Sequence, residues 1–188
     1  MELSHKRCGD EVSIQNLFVC RDFGEWNVVG VTNLGPATLR TALHLARDLH
    51  LSGGPFAVYD YWQRRFLGIH GATLALEIAP MDTALLRITP LTGRPVIIST
   101  SRHITQGAVE LAGVRWENNT LSGTALATVP GEEWRMAVYL PRGYEYVGIA
   151  APETTRPEVV AEDEILRVVF HPQSAEAIAW SLRFNVKG

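Results

Sequence analysis

Turn-forming residues recur along this chain at short, even intervals, and that spacing restricts the fold more than any other feature. Asn33-Leu34-Gly35-Pro36, Ser52-Gly53-Gly54-Pro55, Asn118-Asn119, Pro130-Gly131 and Pro141-Arg142-Gly143 each interrupt an apolar run. The runs between them are short and rich in β-branched and aromatic residues, which suit a pleated, half-buried surface. Strands are expected at 12–20, 26–33, 73–78 and 83–89 in the first half. In the second half they are expected at 95–99, 108–116, 120–129, 134–140, 144–150, 164–171 and 177–185. Residues 37–51 fit both a helical and a strand period. Strands on either side favour a strand through Leu45, followed by one helical turn or a loop. Residues 1–10 read as a loose lead-in, and 151–162, with Pro152, Pro157 and several charges, as a long exposed loop. The sum is an all-β protein of two antiparallel β-sandwich domains in tandem, 1–91 and 92–188, divided at Pro90–Pro95. No repeat of fixed 20–50-residue period is present.

The densest aromatic stretch runs from Tyr59 to Gly68, led into by Phe56 and Val58. It reads as two short strands joined by a polar turn at Gln63-Arg64. Asp60 stands between Tyr59 and Tyr61. It is either an acceptor for nearby backbone or the Arg64-Arg65 pair, or a sugar-binding or general-acid carboxylate. No second carboxylate is near in sequence, so the structural role is the better reading. Trp62, next to Val58, Phe66 and Leu67, is expected to pack in the core.

Apolar residues make up 46% of the 188, enough for a sizeable core. The charges, 17 basic against 20 acidic, form no basic footprint in either half, which argues against a nucleic-acid partner. Cys8 and Cys20 are too few for a four-ligand zinc site and sit in no C-x-x-C pair. One disulfide between them is possible in principle, but reduced thiols are expected. The N-terminus is polar, without a secretory leader, and no apolar run approaches the roughly 20 residues that span a bilayer. These features point to a soluble protein, cytoplasmic rather than secreted, with no membrane partner.

The motifs of strong chemistry are missing: no G-x-S-x-G, H-E-x-x-H, P-loop or G-x-G-x-x-G. The six histidines are scattered, and neither a metal nor a cofactor is expected. Ser99-Thr100-Ser101-Arg102-His103 places hydroxyls beside a histidine, but neighbours in an extended chain point apart, so a polar loop is the better reading. Glu132-Glu133 and Glu162-Asp163-Glu164 lie at turns and read as solvated surface. Five tryptophans raise the question of sugar stacking, because an exposed ring packs on the C–H face of a sugar. Trp62, Trp116 and Trp134, with Asp60, are the candidates for such a site, although core is the expected role of any single tryptophan.

Three stretches of the first half carry a family resemblance. Trp26-Asn-Val-Val-Gly-Val-Thr-Asn33, Val58-Tyr-Asp-Tyr-Trp62 and Ile78-Ala-Pro-Met-Asp-Thr-Ala-Leu-Leu-Arg-Ile-Thr-Pro90 resemble segments of the C-terminal β-sandwich of α-galactosidase (melibiase-type) glycoside hydrolases. The likeness covers about residues 12–90. Met81 stands where the family often has histidine, and 91–188 lie beyond the match. The resemblance implies a non-catalytic C-terminal module whose partner is a catalytic (β/α)8 barrel. A barrel needs roughly 200 residues or more and does not fit here. No position matches the family's catalytic aspartates, so the chain is not expected to be an enzyme by itself. The alternative is a carbohydrate-binding module holding a glycan on exposed aromatics.

Overall fold

The computed structural model describes residues 2–8 and 11–188, with Arg7 and Cys8 described by backbone alone. Any Cys8–Cys20 bridge therefore lies outside the described residues; the Cys20 thiol is exposed. The chain is all-β and forms two compact units. One comprises Met1–Cys20 with Gly24–Leu91, the other Arg21–Phe23 with Thr92–Gly188.

The first unit contains β1 (Glu2–Cys8), β2 (Val12–Arg21), β3 (Gly24–Asn33), β4 (Leu39–His44), α1 (Leu45–Leu49), β5 (Phe56–Asp60), β6 (Arg65–His70), β7 (Thr73–Ile78) and β8 (Thr83–Pro90). Six strands form one antiparallel sheet in the order β1-β2-β3-β8-β5-β6, and β4 pairs with β7 in a second. β7 shows why the two sheets stack. Leu74, Leu76 and Ile78 point inward while Thr73, Ala75 and Glu77 face out. The inward set meets Val29, Val31, Val58, Leu86 and Ile88 of the large sheet and Leu45 and Leu49 of α1 in one apolar core. α1 lasts only one turn because His50, in the left-handed region at φ 58, turns its N–H back to the Ala46 carbonyl. The strand and helical turn expected within 37–51 are both present.

Asn33, at the end of β3, closes this unit. Its side-chain amide donates to the carbonyls of Ala37 (2.8 Å), Ile78 (3.1 Å) and Ala79 (2.9 Å), and its Oδ1 accepts the Gly35 N–H. One buried side chain thus ties the 33–36 turn to the loop between β7 and β8.

Residues 2–8 are not the expected lead-in. β1 pairs with β2 from Glu2–Phe18 to Cys8–Val12. An edge strand has one neighbour and needs no apolar alternation, so its polar sequence hid it. Lys6 of β1 donates to the buried Asp48 of α1 at 2.6 Å. Asp48 also accepts two bonds from the Arg47 guanidinium, at 3.0 and 3.1 Å, and one from the His44 N–H. The Arg47 contact is the largest of the effects that hold the Asp48 carboxyl well below the ordinary carboxylate range, against the opposing effect of burial. The contribution is therefore present above the unfolded-chain value of about 4 and fades as pH falls below it. Asp48→Asn should cost the first unit roughly 1–2 kcal/mol at pH 7 and flatten its stability loss between about pH 4 and 2. Urea midpoints measured across that range check both.

The second unit contains β9 (Val96–Thr100), β10 (Leu111–Glu117), β11 (Thr120–Ala125), β12 (Trp134–Tyr139), β13 (Tyr144–Ala150), β14 (Glu158–Glu162), β15 (Ile165–Phe170) and β16 (Ile178–Val186). They form two four-stranded antiparallel sheets, β10-β11-β16-β13 and β14-β15-β12-β9. Their inner faces share a core that includes Leu121, Trp134, Leu166, Phe170, Trp180 and Phe184. Asn118 and Asn119 join β10 to β11 with φ of 47° and 57°, the pair of left-handed residues that a two-residue hairpin requires. At Gly123 a Cβ would sit 2.9 Å from the Trp180 ring, so glycine alone fits the strand beneath that side chain.

Three expectations change in this unit, one of them being that the strand expected over 120–129 ends at Ala125. Residues 151–162 are not one exposed loop: a short 3-10 turn (Glu153–Thr155) leads into β14, which pairs with β15 from Glu158–Val169 to Glu162–Ile165. β14 is again an edge strand, its charged ends masking the inward Val159. The strand expected from 108 starts at Leu111, because the preceding loop closes on Glu110. The fully buried Glu110 carboxylate accepts the Thr100 hydroxyl and the N–H groups of Gly107 (3.0 Å) and Val109 (3.3 Å). Ser99 donates to Gln106 Oε1 beside it at 2.8 Å.

Candidate functional site

The β5–β6 hairpin carries two of the sequence candidates and treats them oppositely. β5 stops at Asp60, which pairs with Arg65, so Tyr61–Arg64 form a four-residue connection closed by Arg64 in the left-handed region. Asp60 is buried, and its Oδ1 accepts the Gln63 N–H at 2.9 Å. Burial pushes its carboxyl upward from the ordinary value, opposed by bonds from the Gln63 and Trp62 N–H groups and by the Arg65 charge. The exposed Asp82 adds a smaller upward push. Asp60 thus holds the turn through backbone, the structural role read from sequence.

Trp62 is not a core residue: it is 58% exposed. The expectation assumed that the strand continued through it. Because Asp60 turns the chain, Trp62 sits on the hairpin tip, with the Tyr61 ring edge-on at 4.8 Å. β3 and β5 both run antiparallel to β8, so the exits of β3 and β5 and the entry of β8 share one end of the sheet. Leu34 (39% exposed), Trp62 and Met81 (73%) all belong to that end.

The remaining tryptophan candidates lie in the second unit. Trp134 is fully buried. Its ring packs 5.9 Å from Phe170, and its Nε1 donates to the Leu126 carbonyl at 3.1 Å. A stacking platform needs an open ring face, which Trp134 lacks. Trp116 is half-buried at the margin of the core, 5.6 Å from both Tyr144 and Phe184, with the Arg94 guanidinium 6.0 Å above its ring. Trp26 and Trp180 are buried, the former beneath the Arg87 guanidinium at 4.0 Å.

The other polar stretches resolve into local structure. His103 Nδ1 lies 2.7 Å from the Thr105 hydroxyl rather than against a serine. Each glutamate of the two acid clusters meets an arginine: Glu132 with Arg102, Glu133 with Arg135, Glu162 with Arg167 and Glu164 with Arg142. Among the described residues, no group of three or more His, Cys, Asp or Glu is arranged to hold a metal ion. Among the described residues, no helix is long and apolar enough to cross a membrane.

One polar pocket was not legible in the sequence. A cavity of about 310 Å³ is lined by Gly131, Arg156, Glu158, His171 and Gln173. The residues come from three separate segments, so no spacing could have signalled them. Pairing of β14 with β15 brings the start of one beside the end of the other. His171 Nε2 lies 3.2 Å from Glu158 Oε1.

No protein-family model and no curated protein matches the chain. Among solved structures it is similar to a GH27 β-L-arabinopyranosidase from Geobacillus stearothermophilus, at 18% identity and TM-score 0.43 over 50% of this chain and 20% of that one. It is also similar to α-galactosidase I from Mortierella vinacea, at 14% identity and TM-score 0.40 over 46% of this chain and 22% of that one. The chain thus spans about a fifth of the length of those enzymes.

Proposed function

We propose that this chain is a non-catalytic accessory module of an α-galactosidase-type glycoside hydrolase, and that its partner is the catalytic (β/α)8 barrel. One observation carries the reading. The three stretches that resemble that family's C-terminal sandwich are not scattered over the fold. They supply β3, β5 and β8, which lie side by side in the order β3-β8-β5. The resemblance therefore describes one contiguous piece of sheet. The apolar side chains Leu34, Trp62 and Met81 at one end of that sheet supply a seat for the barrel. A tryptophan on a hairpin tip gains little for the isolated unit and has a reason there.

The same reading assigns no turnover to the isolated chain. Asp60, the carboxylate nearest to a catalytic role, is buried and bonded to its own turn. Aryl α- and β-glycosides should be left intact by the purified chain. Reproducible hydrolysis that disappears in Asp60→Asn would overturn the assignment. Docking is tested by thermal unfolding of a barrel glycosidase encoded beside this chain, alone and with the chain in excess. A rise of several degrees, lost with Trp62→Ser plus Met81→Ser, is expected. An unchanged midpoint would exclude the barrel as partner.

A further inference from the structure

We propose that His70 is a proton-dependent clamp on the corner where the chain leaves the large sheet of the first unit for the small one, closed when the imidazole carries a proton on each nitrogen. This goes beyond the accessory reading. It uses none of the exposed apolar residues of that unit and stands whether or not a barrel docks there.

The corner is built from three elements. β6 ends at His70 on the edge of the large sheet, Gly71 and Ala72 turn the chain, and β7 begins at Thr73 beside β4 in the small sheet. A bulge in β6 prepares one arm of the clamp. The pairing of β5 with β6 moves from Val58–Gly68 to Tyr59–Phe66, so Leu67 has no residue opposite it. Gly68 sits at φ 102, where glycine is favoured, and His70 Nε2 lies 3.7 Å from the place its Cβ would take. Nε2 reaches the Leu67 carbonyl at 3.0 Å, and Nδ1 reaches the Thr73 carbonyl at 3.1 Å. One ring thus joins the bulge of β6 to the first residue of β7. Leu45 of α1 closes the same corner by donating its N–H to the Ala72 carbonyl at 2.9 Å.

The acceptors fix the proton count. A backbone carbonyl only accepts, and a neutral imidazole has one N–H and one bare lone pair. The neutral ring therefore makes one of the two bonds and turns its lone pair toward the other oxygen. The imidazolium donates from both nitrogens, with charge assistance in each bond. A histidine changes charge between about pH 5 and 8, so the clamp has two arms at the acid end of that interval and one at the basic end. Its contribution is present at low pH and is lost as pH rises. β6 has a single neighbouring strand, so the order of that sheet edge follows the proton.

The other charged groups around the corner are accounted for. On β4, His44 stands opposite Thr73, and its N–H bonds Asp48 of α1, which pairs with Arg47 and Lys6. Further along β7, Glu77 pairs with Arg40. Arg65 stands at the far end of β6, and His50 caps α1. On β5 the residue opposite His70 is the uncharged Phe56. His44 and His50 are the histidines of this group and need their own controls.

The test is NMR on the whole 15N-labelled chain. At about pH 5.5 both ring N–H protons of His70 should give resolved signals, because each is held on a carbonyl, whereas an imidazolium open to water exchanges them too fast to be seen. The Leu45 amide reads the corner itself. Its protection against hydrogen exchange, corrected for the intrinsic effect of pH, should fall about threefold to tenfold between about pH 5.5 and 8, the loss of one hydrogen bond. The Asn33 amide, bonded to the Asp82 carbonyl at the opposite end of the large sheet, should keep its protection. His70→Gln retains a donor that does not titrate and should make the Leu45 protection independent of pH. His44→Gln and His50→Gln should leave the pH dependence in place. Three results overturn the proposal. One is fewer than two ring N–H signals from His70 at the acid end. Another is a wild-type Leu45 protection that is constant with pH or falls in step with that of Asn33. The last is a pH dependence that survives His70→Gln or disappears with His44→Gln or His50→Gln. The first two are read on the unaltered chain, so a variant that fails to fold does not rescue the proposal.

Discussion

Trp134→Ala should destabilise the second unit by roughly 3–5 kcal/mol, while Trp62→Ala should cost the first less than about 1 kcal/mol. The side chains are identical, and only their surroundings differ. Trp134 is shielded on all sides, stands opposite Phe170 across β12 and β15, and donates to the Leu126 carbonyl. Its removal leaves a cavity in the shared core and a carbonyl without its donor. Trp62 is more than half exposed and loses little beyond its edge contact with Tyr61. Against a total stability of about 5–15 kcal/mol, the first loss threatens the unit and the second does not. Urea unfolding followed by circular dichroism separates them. Equal midpoint shifts for the two variants would refute the burial difference.

Glu110→Ala should cost the second unit roughly 3–4 kcal/mol, more than most polar substitutions. Glu110 is fully buried and closes the loop before β10 by accepting from Thr100, Gly107 and Val109. Alanine leaves these donors without an acceptor in a place water does not reach. Glu110→Gln keeps one acceptor oxygen and should recover part of the loss. Hydrogen exchange at the Gly107 and Val109 amides gives an independent readout. Both should become faster in Glu110→Ala, and unchanged exchange would exclude the closing role.

Much of the fold was legible because its signals are local. A two-residue hairpin demands positive φ at both positions, and Asn118-Asn119 tolerate it at little cost. The inward and outward residues of β7 follow from the period of two in a strand. Asp60 was legible for the same reason, since its acceptor role reaches only three residues to Gln63.

Edge strands were harder to read. β1 and β14 have the composition of loops, and only their pairing with β2 and β15 makes them strands. An edge strand is half solvated, so burial imposes no apolar pattern on it.

The sequence by itself determined an all-β chain, the position of most turns, and the stretches that became β3, β5 and β8. These depend on backbone preference and side-chain alternation, which act within a few residues. Only the tertiary structure decided which tryptophans are inside. Trp62 and Trp134 both sit beside apolar residues in sequence. The Asp60 turn carries Trp62 out to a hairpin tip, while β12 places Trp134 between two sheets. The pocket at Arg156, Glu158, His171 and Gln173 was decided there too, because strand pairing across a dozen residues assembles it. Burial and convergence depend on partners distant in the chain, and periodicity carries no information about them.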